Sequence, residues 1–158
     1  MRRFAALLMM VVAPVVAPLA AQHPDLSGKW TFDAAQSGAE LAQVTGSITV
    51  TQSTSTIKIE QNLSSPQTGP QSATLTIPLD GSQGHNTVSG GGMSLDLAST
   101  AAWEGSTLVV TSTAEVQGNA LKTVEHWSLD ESGKVLTLTS DVSIAGQAMS
   151  RKQVFKKA

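Results

Sequence analysis

The strongest constraint on this chain is a rhythm. From about residue 28 onward, apolar and polar residues alternate with period two, and short links break the alternation roughly every ten residues. Period two marks half-buried strands, because successive side chains point to opposite faces of a sheet. Links this short join only antiparallel neighbours, since parallel strands need a long crossover. The pattern predicts strands at residues 28–34, 43–52, 55–63, 72–79, 85–89, 94–103, 106–117, 120–129, 134–143 and 147–157. Tight links fall at Ser53-Thr54, Glu104-Gly105 and Gly118-Asn119, and Gly-containing ones at Asp130-Glu131-Ser132-Gly133 and Ala145-Gly146. Only Ala34 to Gln43 reads as a short helical turn. Hairpins in unbroken succession make a meander, and closing it on itself removes the two exposed edges. The expected fold is all-β: a single antiparallel up-and-down meander β-barrel of about 8–10 strands, with a β-sandwich as the alternative.

The N-terminus follows another rule. Arg2 and Arg3 precede a 13-residue apolar run from Phe4 to Val16, Pro18 ends any helix there, and Leu19-Ala20-Ala21 offers small residues for cleavage. These are the parts of a secretory signal peptide. The expected organisation is a signal peptide at 1–21 and one barrel domain at 22–158, exported to the periplasm or secreted. The apolar run is short for a membrane span, so no stable membrane insertion is expected after cleavage. After position 21, 36 of 137 residues are Ser or Thr, and 8 basic residues face 12 acidic ones. A net charge of −4 spread along the chain argues against nucleic acid or anionic membrane as a partner. With no cysteine, stability has to come from the core alone. A monomer is expected.

Tight turns fix register, and register decides which side chains share a face. With the links above as turns, Ala101 faces Leu108, Val110 faces Trp127, Trp127 faces Leu136, Leu136 faces Phe155, Ser140 faces Arg151 and Val50 faces Ile57. The apolar sets agree across every hairpin, so this face is the interior. Trp30, Trp103, Trp127 and Phe155 are expected as structural plugs, with Trp30 touching Phe155 where the first and last strands close the barrel. Large apolar residues gather near the Glu104-Gly105 and 130–133 turns. Ser112, Ala114, Thr123, Glu125, Ser140, Met149 and Arg151, smaller or more polar, gather toward Gly118-Asn119 and Ala145-Gly146. They cannot fill a barrel's cross-section, so a pocket is expected at the Gly118/Ala145 end, rimmed by the loops at 64–71 and 144–147. Those seven residues and Gln153 are the expected ligand-binding set. Glu125 and Arg151 are expected to compensate each other inside the barrel, directly or through Gln153 or water.

Gly28-Lys29-Trp30 opens the first strand, and this Gly-x-Trp resembles the lipocalin signature. The resemblance implies a barrel whose Trp plugs one end, with a late basic residue (Arg151, Lys156 or Lys157) packed on it. The blocks Asp25-Leu26-Ser27-Gly28-Lys29-Trp30, Ile77-Pro78-Leu79-Asp80-Gly81, Trp103-Glu104-Gly105-Ser106-Thr107-Leu108-Val109-Val110, Trp127-Ser128-Leu129 and Gly133-Lys134-Val135-Leu136-Thr137-Leu138 resemble small secreted bacterial lipocalin-like proteins. That resemblance implies a fold and an envelope location rather than a reaction. The lipocalin disulfide and C-terminal helix have no counterpart in the sequence.

No catalytic constellation is legible. His23, in the mature N-terminal tail, His85, in a Gly-rich loop, and His126, on the outer face, are too scattered for a metal site and read as solvated residues. Ser89-Gly90-Gly91-Gly92 lacks the Lys of a phosphate loop and reads as a hairpin tip, and no helix follows Gly81-Ser82-Gln83-Gly84. No cofactor is expected. The expected function is therefore non-enzymatic: an exported barrel binding a small hydrophobic or amphipathic ligand. The alternative is an envelope structural or protein-interaction module with a filled barrel, for example a protease-inhibitor-like protein acting through its loops.

Overall fold

The computed structural model describes residues 23–90 and 93–158; the expected signal peptide and the centre of the Gly90-Gly91-Gly92 tip lie outside them. Ten strands form: β1 (Gly28–Phe32), β2 (Thr45–Gln52), β3 (Thr56–Ser65), β4 (Gly69–Pro78), β5 (Gly84–Gly90), β6 (Met93–Glu104), β7 (Thr107–Val116), β8 (Asn119–Leu129), β9 (Val135–Ile144) and β10 (Gln147–Lys157). Each pairs antiparallel with its neighbour in sequence, and β1 pairs with β10, so the sheet is a closed up-and-down barrel. The helical turn expected at 34–43 shrinks to a single 3-10 turn, Ala39–Leu41, in the β1–β2 connection.

The inward parity is the expected one, but most registers slide by two residues. Trp103 pairs with Leu108, Val110 with Glu125, Trp127 with Leu138 and Val50 with Ile59. A two-residue slide leaves every side chain on its face, whereas a one-residue slide would have turned the barrel inside out. Turn chemistry explains the slide. Gln117 and Gly118 have φ of 51° and 78°, the double left-handed geometry of a type I′ hairpin, so glycine takes the second turn position rather than the first. Ala145 and Gly146 repeat it at 51° and 78°, and there the expected register holds, with Ser140 opposite Arg151 and Leu136 opposite Phe155. After β8, the Asp130 side chain accepts hydrogen bonds from the Lys134 and Val135 N–H groups at 2.9 and 2.8 Å, which closes a five-residue rather than a four-residue link.

The first and last strands pair as expected, and their register sets Trp30 diagonally across from Phe155. Phe155 stands opposite Phe32, with ring centroids 5.3 Å apart in an edge-to-face contact, and Trp30 stands opposite Lys157. The late cation on Trp30 is thus Lys157, whose Nζ lies 5.3 Å from the ring centroid. Gly28 makes that contact possible: a Cβ there would lie 3.2 Å from Lys157 Cε, at a φ of 141°.

Candidate functional site

Alternate connections lie at opposite ends of the barrel, and the two ends are filled differently. At the end holding the 105–106 and 130–134 links, Trp30, Phe32, Ile48, Val50, Ile57, Ile59, Ile77, Leu108, Trp127, Leu136 and Phe155 are all buried. Residues 23–27 fold under this floor. Leu26 is buried, its carbonyl accepts a hydrogen bond from Trp30 Nε1 at 3.0 Å, and its N–H donates to Gln52 Oε1 at 3.1 Å. His23, expected to be merely solvated, stacks on the half-buried Trp103 at 4.7 Å between centroids. Large apolar side chains gathered across the section make this end the packed floor of the barrel.

The other end carries the 33–44 connection and the 66–68, 117–118 and 145–146 turns. On the β3–β6 side, a cavity of about 330 Å³ is lined by Gln61, Gln71, Ser72, Ala73, Leu75, Val88, Ser89, Leu95 and Leu97. A second of about 210 Å³ lies at the mouth, between Leu41 and Val44 of the β1–β2 connection, Leu63, Ser64, Ser65 and Thr68, and Arg151 and Gln153. A third of about 240 Å³ meets Ser94, Leu95, Val116 and Gln117 at the same end. The β1–β2 connection is tied to β10: Gly38 N–H donates to the Lys152 carbonyl at 2.9 Å, and Val154 N–H donates to Ser37 Oγ at 2.9 Å.

Between floor and mouth, the β6–β9 wall carries a polar belt. Ser99 and Ser112 share a hydrogen bond at 2.7 Å across β6 and β7. Glu125 Oε2 accepts from Trp127 Nε1 at 3.0 Å, and Oε1 accepts from Ser140 Oγ at 3.4 Å. Burial pushes the Glu125 carboxyl above the ordinary carboxylate range, and its two hydrogen bonds only partly offset this. The expected ion pair with Arg151 does not form. Arg151 is exposed, and its guanidinium donates to Met149 Sδ at 3.4 Å. The reason is the open mouth: hydration there keeps the cation, so nothing drives it into the barrel.

The expected ligand-binding residues divide accordingly. Ser112, Thr123, Glu125 and Ser140 come together on one inner wall, with Ser112 opposite Thr123 and Glu125 opposite Ser140. Arg151 and Gln153 line the mouth cavity. Met149 stands 43% exposed at the rim, and Ala114 borders a shallow surface depression with Gly118 and Ala120. The β3–β6 wall was missed, although its alternation was plain. The link after Leu63 reads as eight residues in the sequence and closes as the 66–68 turn, and the one after Leu79 offers both Asp80-Gly81 and Gly84 as turn positions, so these strands were not registered against the rest. The loop expected at 64–71 shrinks to the 66–68 turn, because β3 and β4 stay paired out to Ser65 and Gly69, and Ser64, Ser65 and Thr68 line the mouth cavity there.

No protein-family model matches the chain, and no curated protein matches it. Solved structures do. The chain is similar to a secretory abundant heat soluble protein of Ramazzottius varieornatus, at 13% identity and a TM-score of 0.57 over 84% of this chain and 94% of that one. It is similar to the Schistosoma mansoni fatty acid binding protein in complex with arachidonic acid, at 15% identity and a TM-score of 0.51 over 84% and 96% of the two chains. Fatty-acid-binding protein 1 of Echinococcus granulosus gives 13% identity and a TM-score of 0.51 over the same shares, 84% and 96%. At such identities the likeness shows the fold, a lipocalin-like up-and-down barrel, and nothing finer.

Proposed function

We propose that this chain is a non-enzymatic carrier that holds a small hydrophobic or amphipathic ligand in the mouth half of its barrel. One observation carries the reading: the cavity of about 330 Å³ walled by Leu75, Val88, Leu95 and Leu97, with Gln61, Gln71, Ser72 and Ser89 as its polar groups. An apolar pocket with a few convergent polar side chains above a packed floor is the usual composition of a ligand site. Two of the structural neighbours are named as fatty acid binding proteins, which supports the reading by analogy of fold. In this reading Ser112, Ala114, Thr123, Glu125 and Ser140, inward by register, would face that cavity, and Met149, Arg151 and Gln153 would rim it at the Gly118/Ala145 end. Arg2-Arg3 and the apolar run at 4–16 support export, with the carrier working as a monomer in the periplasm or outside the cell.

Native mass spectrometry of protein purified from its own host tests both parts. The expected result is a polypeptide mass beginning at residue 22, with a retained small molecule that organic extraction removes. A bare polypeptide that also fails to take up the neutral lumen dye Nile red would overturn the binding reading.

A further inference from the structure

We infer that Glu125 is the head-group anchor of this barrel and that the lumen takes an amphipathic ligand whose buried end is a protonated amine. The inference rests on the binding function proposed above and names its ligand class.

Glu125 is the first polar residue above the floor on the inner side of β8, two positions from the buried Trp127. The residue is half-buried, and its register beside Val110 and Ser140 turns its side chain to the inner face of the barrel. Its oxygens accept one N–H and one hydroxyl, whereas a carboxylate can accept about four hydrogen bonds. Among the described residues no Lys, Arg or His lies within ion-pair distance of it. The residues flanking it on β7 and β9, Val110 and Ser140, are not ionisable. Arg151, one strand further on β10, is the nearest inward cation by register and is exposed at the mouth. A buried carboxylate with spare acceptors and no cation is costly alone. An ammonium group brings three donors and the missing charge in one small head. In a ring of ten strands β8 stands across from β3, so a head at Glu125 points its tail at the apolar β3–β6 wall. A carboxylate head in the same place would set two negative charges together in a low-dielectric lumen. The carboxyl's raised pKa, caused by burial, is what such a site shows before its cation arrives.

The test displaces Nile red from the mature chain with dodecylamine, dodecanol and dodecanoate, below their aggregation concentrations and at about pH 7.5. Dodecylamine is expected to bind at least about tenfold more tightly than dodecanol, and to shift tryptophan emission, because Trp127 Nε1 shares the carboxylate. Glu125→Gln is expected to bring amine and alcohol within about threefold while leaving dodecanol unchanged. Dodecanol or dodecanoate binding as tightly as the amine, or an amine preference that survives Glu125→Gln, overturns the inference and leaves the carrier function standing. Dodecanoate as the tightest of the three would move the head group to Arg151. If the dye binds and none of the three displaces it, the inference is overturned; if the chain takes up neither the dye nor any of the three, the carrier function itself fails. A pH series on the unmutated chain covers a variant that does not fold. Amine affinity is expected to fall at least about tenfold as Glu125 is protonated on acidification, with dodecanol flat, and a flat amine curve overturns the inference.

Discussion

The floor and the mouth of this barrel are built from the same strands with the same alternation, yet only one of them is a core. On β7 the inward series runs Leu108, Val110, Ser112, Ala114; on β9 it runs Leu136, Leu138, Ser140, Val142. Both begin buried and end half-buried. On β7 the change comes at Ser112, where side-chain volume drops and a hydroxyl appears, because small residues on a fixed ring of backbone leave space in the middle; on β9 Ser140 is still buried and the change comes at Val142, nearer the mouth. Fold and site thus come from one pattern, read for hydrophobicity in one direction and for size in the other. It follows that damage to the floor should unfold the protein, while damage to the mouth should change what it holds.

The largest effect is expected at Trp30. It is fully buried, donates to the Leu26 carbonyl and lies under Lys157. Trp30→Ala should cost about 3–5 kcal/mol of stability, measured by urea unfolding. Floor and mouth can then be compared at equal chemistry with two leucine truncations. Leu108→Ala, at a fully buried site, should cost about 2–5 kcal/mol. Leu97→Ala, on the cavity wall and half-buried, should cost only about 1 kcal/mol. It should also enlarge the cavity and weaken ligand retention. Equal losses at the two sites would mean that the mouth half is packed as tightly as the floor, which breaks the comparison.

This division bears on what was legible beforehand. All ten strands, and the inner faces of those joined by recognisable turns, can be read from alternation, because a period of two survives errors of two in register. Trp30, Trp127 and Phe155 stand out as floor residues for the same reason. The pairings themselves depend on which residue of a link takes positive φ, and Gln117 before Gly118 is not written in the alternation. Leu26 could not be read as a plug, since it lies outside any strand and its burial is purely tertiary. Ser112, Thr123, Glu125 and Ser140 were found because their strands are joined by tight turns. Gln61, Leu75, Val88 and Leu97 were not, because the sequence leaves the turn positions between their strands open. The Arg151 expectation failed at a different point: parity gives a direction, but an open mouth lets a long cation follow it into water.

Glu125 sharpens the boundary between the two halves through pH. Its carboxyl is held above the ordinary range by burial, so the native state binds the proton more tightly than the unfolded chain does. Glu125 then favours folding at low pH. That contribution is lost as pH rises past the carboxyl's unfolded-state value and through its raised native one. Glu125→Gln removes the charge at nearly constant shape. Thermal melts should show the variant gaining on the parent at neutral pH and the difference shrinking in acid. A variant less stable than its parent at neutral pH would mean that the carboxylate is compensated in the ligand-free protein.

The smallest expected effect concerns the seam between the halves' weakest neighbours. β4 and β5 share one backbone bridge, Ser72 with Ser89, while β3 and β4 pair along their whole length. The Asn86 side chain stands in for the missing ladder. Its Oδ1 accepts from Thr76 N–H at 2.7 Å, and its Nδ2 donates to the Thr76 carbonyl at 3.2 Å. A side-chain amide has the same donor and acceptor as a peptide group, so one asparagine can replace one rung. Asn86→Ala should cost only about 1 kcal/mol, because water can reach the freed Thr76 groups at this partly exposed seam. The informative readout is local. Hydrogen exchange at the Thr76 amide should accelerate, while the amides of the fully laddered β7–β8 pair stay as they were. If Thr76 exchange does not change, the seam is held by something other than Asn86. If exchange accelerates all around the barrel, the seam is not a local unit, and the wall beside the cavity is as firmly tied as the floor.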